Sequence, residues 1–111
     1  MRRPAVHIRV YTPGSGSTRG LHPGTLIHIG WGSIGEQPQP NTYQVWVKKG
    51  RNTWSLDLGR SGNSFVGSHA YQRPWRIPNP LPAGPGSDYY IRVRNTATGE
   101  TAHSRFFTIS E

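Results

Sequence analysis

Apolar and polar residues alternate along the chain in short runs broken by Gly or Pro every few positions, a pattern that predicts strands and disfavours long helices. Val6-His7-Ile8-Arg9-Val10-Tyr11 alternates with period two. Leu26-Ile27-His28-Ile29-Gly30-Trp31 does the same, with Ile27, Ile29 and Trp31 on one face. Tyr43-Gln44-Val45-Trp46-Val47-Lys48 sets Tyr43, Val45 and Val47 inward. After a hairpin turn at Lys49-Gly50-Arg51-Asn52, Trp54, Leu56 and Leu58 alternate in a short strand, and Gly59 to Asn63 turns again. Ser64 to Ala70 and Gln72 to Ile77 read as further strands, in which Pro74 and Pro78 confine pairing to edges or strand ends. Pro80 to Gly86 is a rigid crossing loop, and a turn at Asn95 to Gly99 separates two clear strands, Asp88 to Arg94 and His103 to Ile109. Thr12 to Pro23 and Gly32 to Asn41 read as loops. About seven short strands with regularly spaced turns predict an all-β antiparallel sandwich. It forms a single domain over residues 1–111, with 1–5 as a flexible or docking N-terminal arm.

Composition narrows the core. Leu, Ile, Val and Phe supply 21 of the 111 residues, about 19%, and the net charge is +8, which approaches the composition of disordered chains. Four Trp and five Tyr argue for order, because each buries a large apolar area. The expectation is a thin, aromatic-rich core with little stability to spare. The absence of Cys excludes disulfides, thiolate metal sites and Cys nucleophiles. No apolar run approaches the roughly 20 residues of a membrane helix, so no membrane insertion is expected. Met1-Arg2-Arg3-Pro4 is followed by His7 and Arg9 rather than by the apolar region of a signal peptide.

Leu81-Pro82-Ala83-Gly84, followed by Asp88-Tyr89-Tyr90-Ile91-Arg92-Val93, resembles immunoglobulin-like and fibronectin-type-III sandwiches, which implies a Greek-key fold. In those folds a Pro/Gly loop crosses between sheets and a Tyr opens the next strand. The resemblance assigns Tyr89 to the tyrosine corner, its ring inward and its hydroxyl bonded to backbone a few residues upstream, and sets Ile91 where antibody domains carry their second Cys. A narrower resemblance rests on the Pro13-Gly14 turn, Gly24 with Ile27 to Trp31, Trp75-Arg76-Ile77-Pro78, Leu81 to Gly84, Tyr89 to Val93 and Phe106 to Ile109 in that order. Together these look like the Ig-like domain of the Kre9/Knh1 cell-wall family and its Ser/Thr-rich surface-protein relatives. That family implies a non-catalytic β-sandwich of secreted or surface-anchored proteins. This chain differs in its strongly basic charge and in having no Ser/Thr-rich tail or leader, so the resemblance implies fold more than a role in wall glucan synthesis.

Candidate chemistry points away from catalysis. Glu36, Asp57, Asp88, Glu100 and Glu111 are scattered in or beside turns and suggest no carboxylate pair across a cleft. His7, His22, His28, His69 and His103 show no metal-ligand spacing. No nucleophile elbow or phosphate loop occurs, so no catalytic residue, metal or cofactor is expected.

Period two carries a sharper signal. With Tyr43, Val45 and Val47 inward, Trp46 and Lys48 face out; with Tyr89, Ile91 and Val93 inward, Tyr90, Arg92 and Arg94 face out; with Phe107 and Ile109 inward, Phe106 faces out. In an Ig-like sandwich these strands are neighbours, so one outer face presents Trp46, Lys48, Tyr90, Arg92, Arg94 and Phe106 together. Aromatic anchors ringed by Arg have the composition of an interface, and the plainer alternative is cross-strand stacking on a solvated sheet. Trp31, Tyr89 and Ile91 are assigned to structure.

The function expected from these features is a structural or adhesive module that docks on a larger surface, either an acidic protein lattice such as a virion or filament, or a cell-envelope polymer. An unprocessed Met1 start favours the particle, and assembly there allows an oligomer. Two other readings remain open: a glycan-binding module using Trp46, Trp54 or Trp75, although Trp31 and Trp75 are better assigned to the core, and a basic nucleic-acid binder, for which no module motif appears.

Overall fold

The structure is a computed structural model that describes residues 7–12, 21–34, 42–50, 54–60, 64–65, 70–96 and 99–110. The expected N-terminal arm, the Pro13-Gly14 turn and parts of the turns at 51–53, 61–63 and 97–98 lie outside the described residues. The strands are β1 (His7–Thr12), β2 (Leu26–Ile34), β3 (Tyr43–Lys49), β4 (Trp54–Gly59), β5 (Ser64–Phe65), β6 (Ala70–Arg76), β7 (Gly86–Asn95), β8 (Thr101–His103) and β9 (Phe107–Ile109).

Two antiparallel sheets pack face to face. One has the order β1-β2-β6-β5; the other has the order β4-β3-β7-β8, with β9 also pairing β7. The pairs β2–β6 and β3–β7 join strands distant in sequence, as a Greek key requires, and the order is that of an immunoglobulin-type sandwich with β4 as an added edge strand. Each long strand buries alternate residues, so β3 turns Tyr43, Val45 and Val47 inward and β7 turns in Tyr89, Ile91 and Val93. At the centre, Trp31 and Tyr71 from one sheet meet Tyr43 from the other. The ring centroids lie 5.7 Å apart for Trp31–Tyr43, 6.1 Å for Trp31–Tyr71 and 4.6 Å for Tyr43–Tyr71. Three aromatic rings thus bridge the sheets at the centre of the core.

The sequence pattern is refined at four places. First, β2 continues to Ile34, because Gly32, Ser33 and Ile34 pair with Arg9, Ile8 and His7, so the loop begins later than Gly32. Second, Pro74 is tolerated opposite His28 in a strand that β2 pairs along its whole length. The Ile77 N–H donates to the Thr25 carbonyl, so odd-numbered residues of β6 aim their amides at β2 and Pro74 aims its ring nitrogen away. On that side the described contact with β5 covers Tyr71 and Gln72 alone. Third, β4 slips by one residue against β3 between Asp57 and Gly59, with Leu58 the extra residue, and an Asp57 carboxylate oxygen accepts the Gly59 N–H at 2.7 Å. Arg73 reaches from the other sheet to donate to the Leu58 carbonyl at 2.7 Å. Fourth, the expected strand His103 to Ile109 is broken. β8 ends at His103 and β9 begins at Phe107, because between them the Ser104 hydroxyl accepts the Ile91 N–H while the Ser104 N–H donates to the Ile91 carbonyl, both at 2.8 Å. A side chain thereby takes one place in the backbone ladder.

The loop that crosses to β7 is fastened by Tyr89, whose ring is buried between Trp54 and Phe107 and whose hydroxyl donates to the Gly84 carbonyl. Gly84 sits at φ +77°, a left-handed conformation that L side chains rarely adopt, which aims its carbonyl at the phenol. Removing the hydroxyl by Tyr89→Phe is expected to cost on the order of 1 kcal/mol, since it orphans a carbonyl while leaving ring packing intact. Denaturant unfolding measures this, and an unchanged midpoint would contradict it.

Candidate functional site

The outer face of the second sheet is built by the strict register of β3 on β7, which pairs Gln44 with Arg94, Trp46 with Arg92 and Lys48 with Tyr90. Cross-strand partners share a face, so these six side chains stand together on the solvent side. The slip beside Trp46 adds its residue to β4, and β3 stays in unbroken register with β7, so Trp46 keeps its outward direction. On the far side, Arg92 pairs with His103 and Arg94 with Thr101.

Two groupings occupy this face. In the first, the Arg92 guanidinium lies over the Trp46 ring, 5.2 Å from its centroid. In the second, Tyr90 meets His103 at 5.6 Å and Phe106 at 5.7 Å, both edge to face. Phe106 is 66% exposed, whereas Trp46 and Tyr90 are half-buried against these neighbours and not fully open as the alternation alone suggests. Gly50, Tyr90, His103, Ser104, Arg105 and Phe106 line an open groove of about 450 Å³ beside the second grouping. Arg94 and Arg105 are exposed, and Lys48 approaches the Ser55 hydroxyl at 3.5 Å.

The electrostatics are net positive. Lys48, Arg92, Arg94 and Arg105 surround the aromatic groups, against the carboxylate of Asp57, the register partner of Trp46, which accepts hydrogen bonds from the Gln44 side chain and the Gly59 N–H. Asp88 lies 3.2 Å from Lys49. Burial lowers the His103 pKa from the ordinary 6.5, and the charges of Arg92 and Lys48 push it further the same way. The folded state therefore disfavours the imidazolium. Its stabilising contribution is present above pH 6.5 and is lost as the pH falls through the unfolded value towards the folded one. Nuclear magnetic resonance should record a folded His103 titration below that of the unfolded chain, with Arg92→Gln moving it back up; a midpoint at or above the unfolded value would contradict this.

The remaining aromatic candidates lie elsewhere. Trp75 is buried, and Trp54 is half-buried against the core, with its ring 6.2 Å from Tyr89 and with Lys49 as its register partner, so neither belongs to the outer face. Trp31 and Ile91 are fully buried. Alternation did not bring His103 and Arg105 to the face. A continuous strand would put residue 103 on the side of Phe107 and Ile109, and the break at Ser104 reverses that parity.

Among the described residues there is no group of three or more His, Asp or Glu that can hold a metal ion, and no helix is long and apolar enough to cross a membrane. Comparison of the chain with family models and with curated proteins finds no match.

Proposed function

We propose that this chain is a non-catalytic immunoglobulin-like module, a structural or adhesive component that docks through the outer face of its second sheet onto an acidic surface, an assembled protein lattice or a cell-envelope polymer. The observation that carries the reading is the single face on which Trp46, Arg92, Tyr90 and Phe106 stand among charges that are mostly positive. Aromatic anchors with Arg favour protein recognition, and a large exposed ring such as Phe106 is the kind of apolar surface that association covers. A glycan would need an open ring face, and Arg92 already lies over Trp46. The test is binding of the folded chain to a polyglutamate-coated surface, compared with Trp46→Ala and Arg92→Glu. Lost docking at retained stability supports the reading, and retained docking in both variants removes this face from the function.

A further inference from the structure

The groove beside the β8–β9 break carries information about the partner beyond its charge. Its described walls are chiefly carbon, formed by Tyr90, Phe106 and the backbone at Gly50. Its volume of about 450 Å³ falls within the ~300–1,000 Å³ of small-ligand clefts. The Ser104 hydroxyl in its wall is already committed, accepting from Ile91 N–H and donating to the Arg105 carbonyl at 2.8 Å each. Cations stand at the rim: Arg105 lines the groove, and Arg92 and Lys48 are the register partners of His103 and Tyr90.

We infer that this groove receives one aromatic or aliphatic side chain of an acidic peptide segment, whose flanking carboxylates meet Arg105, Arg92 and Lys48. The inference rests on the docking reading of the same face and assigns its partner's chemistry. An apolar side chain suits the Tyr90 and Phe106 rings of the wall, and the Arg105 guanidinium beside them offers donors to a flanking carboxylate. Carboxylates on either side suit a rim at which Arg105, Arg92 and Lys48 stand. Phe106, 66% exposed and set edge-on to Tyr90, gains cover when the groove is filled.

The experiment titrates the intact chain with three capped pentapeptides, followed by amide resonance shifts. One is Asp-Glu-Phe-Asp-Glu, one has Ser in place of Phe, and one keeps Phe but has Asn and Gln in place of the acids. The expected result is that the first binds at least tenfold more tightly than either control and shifts the amides of His103, Ser104 and Phe106. Phe106→Ser should remove that tenfold preference, so that this variant binds the Phe and Ser peptides equally. Equal binding of the Phe and Ser peptides, both weakened by Arg92→Glu, would overturn the groove and leave the docking face standing. Binding of neither acidic peptide at this face would overturn both readings. An oligogalacturonate that binds more tightly than the Phe peptide would replace the peptide with an acidic glycan.

Discussion

Trp31→Ala is expected to cost about 3–5 kcal/mol of folding stability, the usual range for deleting a buried indole. Against a total of roughly 5–15 kcal/mol for an ordinary domain, that leaves a small margin or none. The reason is local. Trp31 is fully buried, stacks on Tyr71 within its own sheet and meets Tyr43 of the other, so its loss opens a cavity in the middle of the ring cluster that joins the sheets. Close-packed interiors relax only partly around so large a void. Trp31→Phe provides the control. The indole N–H is buried with no hydrogen-bond partner among the described residues, so a phenyl ring keeps part of the packing and gives up no hydrogen bond seen there. Its cost should be well below that of alanine. Denaturant midpoints for the three chains decide the matter, and an alanine variant that unfolds with the parent would show that the cluster is not what holds the sheets together.

What the amino-acid pattern revealed depended on how local the determinant was. Within β3 and β7 the inward positions Tyr43, Val45, Val47, Tyr89, Ile91 and Val93 are apolar or aromatic and most outward ones are polar, so parity fixed both the core and the outer face there. Asn95 at the end of β7 is buried despite being polar. The Tyr89 corner was equally legible, because Leu81-Pro82-Ala83-Gly84 and the tyrosine five residues after Gly84 form a short-range device. The features that escaped are those decided between sheets or by one side chain entering the ladder. Arg73 is inward by parity, yet it is accommodated at the sandwich edge because the slip in β4 leaves the Leu58 carbonyl within reach. The break at Ser104 depends on its hydroxyl meeting the Ile91 N–H, a contact that no period reveals, and it alone brings His103 to the face. Strict alternation thus placed Trp46, Lys48, Tyr90, Arg92 and Arg94 on one outer face and missed the residues that join them at the β8–β9 edge.

Charge reversal at Arg92 is expected to weaken docking on an acidic surface by at least tenfold, about 1.4 kcal/mol. Arg92 is central on the face, flanked by Trp46 on β3 and His103 on β8, so a glutamate there replaces attraction with repulsion where a partner's carboxylates come closest. It also uncovers the Trp46 ring, which a quencher in solution should then reach more easily. Trp46→Ala removes the platform beneath the guanidinium, so Arg92 loses its fixed position as well as its neighbour. The two losses overlap, and the double variant should therefore fall short of their sum. Both residues project from the outer side of a sheet whose inner side holds the core, so unfolding midpoints should change far less than affinity. Raising the salt concentration should weaken the parent chain and leave the Arg92→Glu variant with a shallower dependence. If both single variants bind the polyglutamate surface as the parent does, the aromatic and basic residues of this face serve only to cover the sheet, and the partner engages the loops.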